Sequence, residues 1–193
     1  MTMEKFSEFI FRMRGGLWTL LFVLILITAY GNESSSMQIY ISLVIIISGQ
    51  IWRCWAAGFI GLYRGENVKA QKLAQTGPYA LMRNPLYFGN FLIGLGWSII
   101  AGFYAVIIFI ASFYLLYILV IIPHEEKFLL GKFGDEYINY CGRVKRFRPV
   151  LKKFKFSDLT GDFDSKILLR SEIHTIITTV IGTLIIIAVT CYT

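Results

Sequence analysis

Five long apolar segments alternate with polar ones along the chain. They cover 16–30, 37–63, 86–101, 103–123 and 173–192. A membrane-spanning helix needs roughly 17 to 25 mainly apolar residues, so the first segment must borrow from 11–15. With 193 residues, 56% of them hydrophobic, and a mean hydropathy of +0.62, the chain is too apolar for a soluble domain. The pattern predicts one all-α integral membrane domain over 1–193, with about five transmembrane helices.

Basic residues fall almost entirely on one side of this layout. Lys and Arg occupy the N-terminal segment, the loop before the third span and the stretch before the fifth, whereas 31–36, 101–103 and 190–193 contain none. Arg53, inside the second span, is the exception. Because Lys and Arg accumulate on the cytoplasmic side, we expect a retained first span, a cytoplasmic N-terminus and an outward C-terminus. The net charge of +7 then indicates contact with anionic lipid, and we expect no nucleic-acid partner.

The motif GPYALMRNPLYFG leads into the third span. Pro85 suits the first turn of a helix, and Asn84 before it suits the N-cap. A helix N-terminus attracts anions, and Arg83 beside it suits a carboxylate or phosphate. Tyr79 and Tyr87 can supply aromatic walls and hydroxyl groups. The motif fits a site for a small charged ligand and equally fits an ordinary span entrance with interfacial Arg and Tyr.

Two adjacent carboxylates follow the fourth apolar segment. Glu125 and Glu126 lie where an unpaired charge is costly. If the helix continues past Pro123, Glu126 shares a face with aromatic residues as far as Tyr137. Such an acid can hold hydroxyl, ammonium or sulfonium groups by charge-assisted hydrogen bonds. Pairing with Arg143 or Lys145 is the structural alternative.

Metal-binding and disulfide patterns are weak in this sequence. Cys54, Cys141 and Cys191 have no metal or disulfide spacing. The acidic string DLTGDFD fits no calcium loop, so we interpret its aspartates as a solvated linker. They are Asp158, Asp162 and Asp164. The sequence predicts no metal site.

The ordered motifs resemble those of a known family. RNPLYFG, the helical hairpin after it, the Glu pair and FGDEYINYCGRVKRFRP are similar to the isoprenylcysteine carboxyl methyltransferase family, especially its small prokaryotic members, and to the related phospholipid N-methyltransferases. The resemblance covers 53–149, the expected methyltransferase core, and leaves 150–193 as a C-terminal extension with the fifth span. It implies a multi-pass protein, expected in a bacterial inner membrane, with a non-Rossmann S-adenosylmethionine pocket at the cytosolic face.

The resemblance also implies site residues and an activity. Methyl transfer to a lipidic or small apolar acceptor, at a carboxylate, amine or thiol, is the expected reaction. Glu125 and Glu126 would bind polar groups of the cofactor, and either could take a proton from an amine acceptor. The remaining residues expected to line the cofactor are Gln71, Lys72, Leu73, Ala74, Tyr79, Arg83, Asn84, Pro85, Leu86 and Tyr87.

Two departures from the family and two alternatives stay open. Many relatives have His where this chain has Asn84. Unlike His, the Asn side chain cannot act as an acid or base near neutral pH. Ile121 stands where prenylcysteine enzymes have an Arg, which argues against a prenylcysteine acceptor. The ending formed by Tyr137, Tyr140, Cys141, Val144 and Pro149 is also similar to NADPH-dependent sterol-type reductases. A non-catalytic membrane scaffold is the other alternative.

Overall fold

The computed structural model describes residues 3–60, 72–149, 159, 161 and 163–192, and these form helices joined by turns and loops, with no strand among them. A π-helical stretch, Tyr114–Ile121, joins α6 to α7, so that a continuous helical rod runs from α6 through α7. The elements are α1 Met3–Arg12, α2 Arg14–Ala29, α3 Ser36–Ala57, α4 Pro78–Leu81, α5 Pro85–Ala101, α6 Phe103–Phe113, α7 Ile122–Phe133, α8 Asp135–Arg143 and α9 Ser165–Tyr192.

The helices largely follow the predicted apolar segments, but fewer than five of them are long enough to cross a membrane. Three helical stretches among the described residues are long and apolar enough to cross a membrane: Ser36–Ala57, Phe103–Phe133 and Ser171–Cys191. Lys5–Arg12 and Arg14–Ala29 make a fourth if their 65° bend lies within one span. The predicted segment 86–101 forms α5, whose 17 residues are shorter than these spans. The prediction of about five spans therefore becomes three or four spans plus a short apolar helix.

Glycines bring α3 and α5 together as the most extensive helix pair of the described fold. A Cβ atom on Gly49 would lie 2.8 Å from Leu92 Cβ and 2.9 Å from the carbonyl oxygen of Gly89. Gly96 meets α3 in the same way, 2.9 Å from the carbonyl oxygen of Ser42. Small residues let helix backbones approach closely inside a membrane, where lipid supplies little hydrophobic driving force. This contact fixes α5, which carries the RNPLYFG motif, against α3.

Two glycines with positive φ set the ends of helices. Gly102, at φ 108°, turns the chain between α5 and α6, and Gly134, at φ 49°, ends α7. Most residues with a Cβ are strained in these conformations. The helix does continue past Pro123, as predicted. The predicted stripe from Glu126 to Tyr137 is wrong in its last step, because Gly134 breaks the helix and Tyr137 belongs to α8.

An aromatic core joins α2, α5, α6 and the π-helical stretch. The ring of Trp18 lies 6.3 Å from that of Phe109 and 6.0 Å from that of Tyr117. Phe113 stacks on Tyr117 at 4.7 Å. The last helix, α9, packs against α2, α3 and α5, and its Thr183 hydroxyl accepts a 2.9 Å hydrogen bond from Trp97 Nε1. The C-terminal helix is thus an integral part of the bundle.

Candidate active site

The two motifs predicted to form the site meet through their backbones. The amide of Arg83 donates to the carbonyl oxygen of Lys145 at 2.9 Å, and that of Asn84 donates to Arg146 at 3.3 Å. Pro85 occupies the first turn of α5, and Asn84 is its N-cap residue, as predicted. The Asn84 side chain makes no capping hydrogen bond, however, and is directed elsewhere.

Glu126 is the centre of an ion cluster. Its Oε1 accepts hydrogen bonds from Arg83 Nε at 3.1 Å, Arg83 Nη2 at 3.0 Å, Arg146 Nε at 3.2 Å and Asn84 Nδ2 at 3.3 Å. Its Oε2 accepts from Arg146 Nη2 at 2.5 Å. These hydrogen bonds raise the pKa of Arg146. Arg83 also donates to the carbonyl oxygen of Val144 at 3.1 Å. The cluster joins α5, α7 and the segment after α8.

The partners of Glu126 differ from those considered in the sequence. Arg143 instead donates to Gln75 Oε1 at 2.8 Å. Arg83, expected beside a ligand anion, has the Glu126 carboxylate as its partner. The charge of Arg83 is therefore already compensated by an internal carboxylate. A cofactor role for Glu126 stays a prediction, and the ion cluster gives this residue a structural role.

Glu125 has a different environment. The hydroxyl of Tyr87 donates to its Oε2 at 2.8 Å, and no described residue donates to its Oε1. The side chain lies on the wall of two cavities, of about 610 Å³ and about 110 Å³. Glu125 can therefore accept hydrogen bonds from a ligand without losing its bond to Tyr87.

The two cavities share one wall. Six of the described residues line both, and they are Ile60, Tyr79, Arg83, Asn84, Leu86 and Glu125. The larger cavity falls within the roughly 300–1,000 Å³ of small-molecule sites. The shared wall includes five of the ten described site residues that lie before Glu126, so the predicted site residues converge on the junction between the cavities.

The predicted cofactor residues surround this junction. Lys72, Leu73 and Ala74 line the smaller cavity. Pro85 and Tyr87 line the larger one. Glu126 is in neither set of lining residues, and Gln71 lies outside the described residues, as do Asp158 and Asp162. Apart from these, the structure gathers the predicted set in one place.

The reductase-like ending packs as a small apolar cluster. Tyr137, Tyr140 and Val144 are buried against Leu73, with Cys141 beside them. Burial raises the pKa of Tyr140, which therefore keeps its proton and donates to the carbonyl oxygen of Tyr79 at 2.7 Å. This cluster forms the floor of the smaller cavity. The motif thus has a structural explanation that requires no NADPH.

The sequence did not predict most of the larger cavity. Its walls include residues of α2, α3 and α9, among them Trp18, Phe22, Arg53, Thr175 and Gly182. Arg53 could have been identified from the sequence, because a charged residue inside a membrane span is a candidate functional group. Ile121, where prenylcysteine enzymes have Arg, is fully buried in the core and is not among the described lining residues. A cation at position 121 would therefore meet the aromatic core.

Comparison with known proteins agrees with this geometry. Helices of an apolar protein surround a mainly apolar cavity without any strand among the described residues, so the described fold is not that of a Rossmann enzyme. The sequence model of the family described as phospholipid methyltransferase matches residues 37–136, more than half of the chain. The chain belongs to this family, and the predicted relationship is confirmed.

Two curated bacterial proteins are similar over most of their length. One is the nickel-cobalt-cadmium resistance protein NccN of Alcaligenes xylosoxydans xylosoxydans, 31% identical over 158 residues, covering 77% of this chain and 70% of the relative. The other is the cobalt-zinc-cadmium resistance protein CzcN of Cupriavidus metallidurans, 27% identical over 156 residues, covering 77% and 69%. No solved structure matches this chain significantly.

Metal ligands are not grouped in the described part of the chain. Within it, no three His, Cys, Asp or Glu side chains lie close enough together to hold a metal ion. The cysteines that the sequence contains, Cys54, Cys141 and Cys191, are free thiols. The family relationship, rather than the names of the two relatives, therefore guides the assignment of the cavity.

Proposed function

We propose that this protein is an S-adenosylmethionine-dependent methyltransferase that acts on a lipidic or small apolar acceptor at the cytosolic face of the membrane. The single observation that carries the proposal is Glu125 with Tyr87, at the junction of a smaller cavity and a larger one, both mainly apolar. Family membership supplies the reaction class. Two adjoining cavities suit a reaction that joins a water-soluble donor to a membrane-soluble acceptor.

The residues around the junction fit such a donor, which would extend from the smaller cavity into the larger one, because about 110 Å³ is below the roughly 300–1,000 Å³ of small-molecule sites. Glu125 offers a carboxylate oxygen for hydroxyl, ammonium or sulfonium groups, and Asn84 offers an amide beside it. Lys72, Leu73 and Ala74, which also line the smaller cavity, would contact the bound cofactor there. When bound, S-adenosylmethionine supplies a methyl group that its sulfonium charge already activates. The protein therefore needs to orient the acceptor and exclude water rather than activate the donor.

Glu125 has two tasks in this proposal. Its carboxylate balances positive charge at the junction, and the Tyr87 hydrogen bond holds it there. For an amine acceptor, which must lose a proton before it can attack, Oε1 of Glu125 is the proton acceptor at the junction. A carboxylate or thiolate acceptor needs no base. Asn84 cannot perform this step, so Glu125 carries it alone for amines.

The side of the membrane follows from charge. Both motifs lie among the basic segments that the positive-inside rule assigns to the cytoplasm. The cofactor would therefore enter from the cytosol, where it is soluble, and the acceptor from the lipid. A bacterial inner membrane fits the two bacterial relatives.

The names of those relatives raise a link to metal resistance. We propose that any contribution of this chain to metal tolerance passes through methylation of an acceptor at the Glu125 junction. A tolerance assay comparing wild type with Glu125→Gln tests this. Equal tolerance from both proteins at equal expression, above that of cells lacking the protein, would contradict it.

Equilibrium binding tests the proposed function. We expect purified protein in lipid nanodiscs to bind S-adenosylhomocysteine and to bind NADPH no better than a nucleotide control. Titration calorimetry measures both ligands on one preparation. NADPH binding without S-adenosylhomocysteine binding would assign the cavity to a reductase, and binding of neither ligand would support a scaffold.

A further inference from the structure

Arg53 is a buried cation inside the membrane-spanning helix α3, with only 7% of its surface exposed. Its Nε donates to Glu172 Oε2 at 3.2 Å, and its Nη2 donates to Glu172 Oε1 at 3.4 Å. Nη2 also lies 3.4 Å from the Thr175 hydroxyl, and Nη1 donates to Asn90. Charged groups at this depth are expensive, and those that persist are usually functional. Helix packing alone does not require this pair, because apolar side chains of similar volume stabilise such contacts equally well.

The ion pair between Arg53 and Glu172 has a fixed orientation relative to the larger cavity. Arg53, Asn90 and Thr175 line the larger cavity, whereas Glu172 is fully buried and is not among the lining residues. The cationic end of the ion pair therefore faces the cavity. In a low-dielectric wall, such oriented pairs favour an anion in the cavity.

The Arg53 group lies close to the proposed reaction centre. Asn90 follows Tyr87 by three residues on α5, so both lie on one helix face, separated along the axis by about 4.5 Å. Both side chains line the larger cavity. A molecule with an anionic group at Arg53 would therefore hold its neighbouring atoms beside Tyr87 and Glu125.

An apolar path continues from the Arg53 group along α9. Thr175 and Ile185, ten residues apart, both line the cavity, which corresponds to about 15 Å along the helix axis. Gly182 packs against Trp97 and Phe22 along this path, since a Cβ there would come within 3.0 and 3.2 Å of them. Lining residues Ile181 and Ile185 are 51% and 41% exposed, so this wall borders the lipid. Hydrocarbon is the matching occupant.

We propose that the last helix selects the acceptor: Arg53, oriented by Glu172 and assisted by Asn90 and Thr175, binds an anionic phosphate or carboxylate group, and the apolar path to Gly182 takes the attached hydrocarbon. The inference rests on the proposed function and adds the chemical class of the acceptor. Glu172 and Thr175 lie outside the family match at 37–136, so this specificity belongs to the C-terminal extension. Arg53 acts here as a binding residue, and Glu172 acts as a positioning residue.

Direct binding of amphiphiles tests the inference without any methyl transfer. Protein in phosphatidylcholine nanodiscs is titrated with dodecyl phosphate, dodecanoate and uncharged dodecyl glucoside, and fluorescence reports the cavity tryptophans Trp18 and Trp97. We expect at least one anionic probe to bind tenfold or more tightly than the glucoside. The anion that binds better distinguishes a phosphate subsite from a carboxylate subsite. Equal binding of all three probes would overturn the inference.

Matched variants separate recognition from helix packing. Arg53→Met with Glu172→Leu removes both charges at similar volume, and Arg12→Met with Glu8→Leu removes an exposed ion pair as the control. We expect the first double variant to lose the tenfold preference while its melting temperature and S-adenosylhomocysteine affinity stay near wild type. The control should keep the preference. Retention of the preference by the first variant would contradict the inference.

A single substitution covers the case in which the double variant does not fold. Thr175→Val keeps both charges and removes one hydroxyl from the cavity wall. We expect it to weaken binding of the preferred anion several-fold and to leave glucoside binding unchanged; equal loss for both probes would overturn the inference. S-adenosylhomocysteine binding is read in parallel. If that binding fails while the anion preference persists, the proposed function fails and the subsite stands.

Discussion

Glu125 and Glu126 are neighbours in the sequence, yet they belong to two regions with different roles. Around Glu126, two arginines and an asparagine saturate the carboxylate, and the cluster joins three parts of the chain. Around Glu125, one tyrosine holds the carboxylate and two cavities adjoin it. Successive helical residues point about 100° apart, so adjacent positions can serve different faces. Two consecutive residues of one motif can therefore be a structural carboxylate and a carboxylate that faces a cavity.

The largest expected effect is loss of stability at the Glu126 region. Glu126→Gln leaves Arg83 and Arg146 without their carboxylate, and we expect the free energy of unfolding to fall by about 2–3 kcal/mol. This is below the ~3–5 kcal/mol for a fully buried pair, because water reaches these side chains. Denaturant titration of the purified protein in mixed micelles measures it.

The control for this variant is Glu8→Gln, which breaks the exposed pair between Glu8 and Arg12 on α1. It should cost about 0.3–0.5 kcal/mol, as is usual for exposed helical pairs. Similar losses in the two variants would show that the Glu126 cluster is not a structural joint.

The next effect is on cofactor affinity at the Glu125 region. Glu125→Gln keeps the shape of the side chain and removes its charge, so we expect S-adenosylhomocysteine binding to weaken by about 1.5–3 kcal/mol, the range for hydrogen bonds to charged groups. Unfolding should change little. Calorimetric titration measures the affinity, and an unaltered affinity would remove Glu125 from the cofactor site.

These two regions also show what the sequence can predict. Both motifs were identifiable because their residues are local and ordered, and the resemblance placed them at one site. Their division of roles was not predictable, since the partner of Glu126 is Arg146, twenty residues away across a helix break at Gly134. Arg53 was visible as a charge in a span. Its partner Glu172 is 119 residues later, and only packing of α9 on α3 brings the two together.

The helical fold, like the site, was only partly predictable from the sequence. Apolar runs predicted the helices because composition alone separates membrane segments from loops. The length of α5 departs from a full span because Pro85 and Gly102 fix its ends. The larger cavity was not predictable, since α2 and α9 enclose it from opposite ends of the chain.

A smaller effect sharpens the role of Tyr87. Tyr87→Phe removes the hydroxyl that holds Glu125 and leaves the ring in place. We expect S-adenosylhomocysteine affinity to fall by about 0.5–1.5 kcal/mol, less than for Glu125→Gln, because one hydrogen bond within the protein is lost. The same calorimetric titration measures the S-adenosylhomocysteine affinities of both variants. A loss larger than that of Glu125→Gln would make Tyr87, and not Glu125, the principal ligand group.

A further prediction concerns membrane topology and not affinity: the Glu125 and Glu126 regions both lie on the cytoplasmic side. In a Cys54→Ala background, an impermeant thiol reagent should label Cys191 in intact cells and Cys141 only after permeabilisation, following the one-sided Lys and Arg distribution. Mass spectrometry of the purified protein detects both adducts. Labelling of Cys141 in sealed cells would place both glutamates on the outer side.

Transfer of a labelled methyl group is the most direct test of the central claim, that the Glu125 cavity performs methylation. Wild type and Glu125→Gln, at equal folded concentration in nanodiscs, receive S-adenosylmethionine labelled in its methyl group and a panel of amine, thiol and carboxylate amphiphiles. The account predicts label in at least one solvent-extractable acceptor with wild type, and transfer at least tenfold slower with the variant. Equal transfer by the two proteins, or no transfer to any acceptor despite bound S-adenosylhomocysteine, would contradict it.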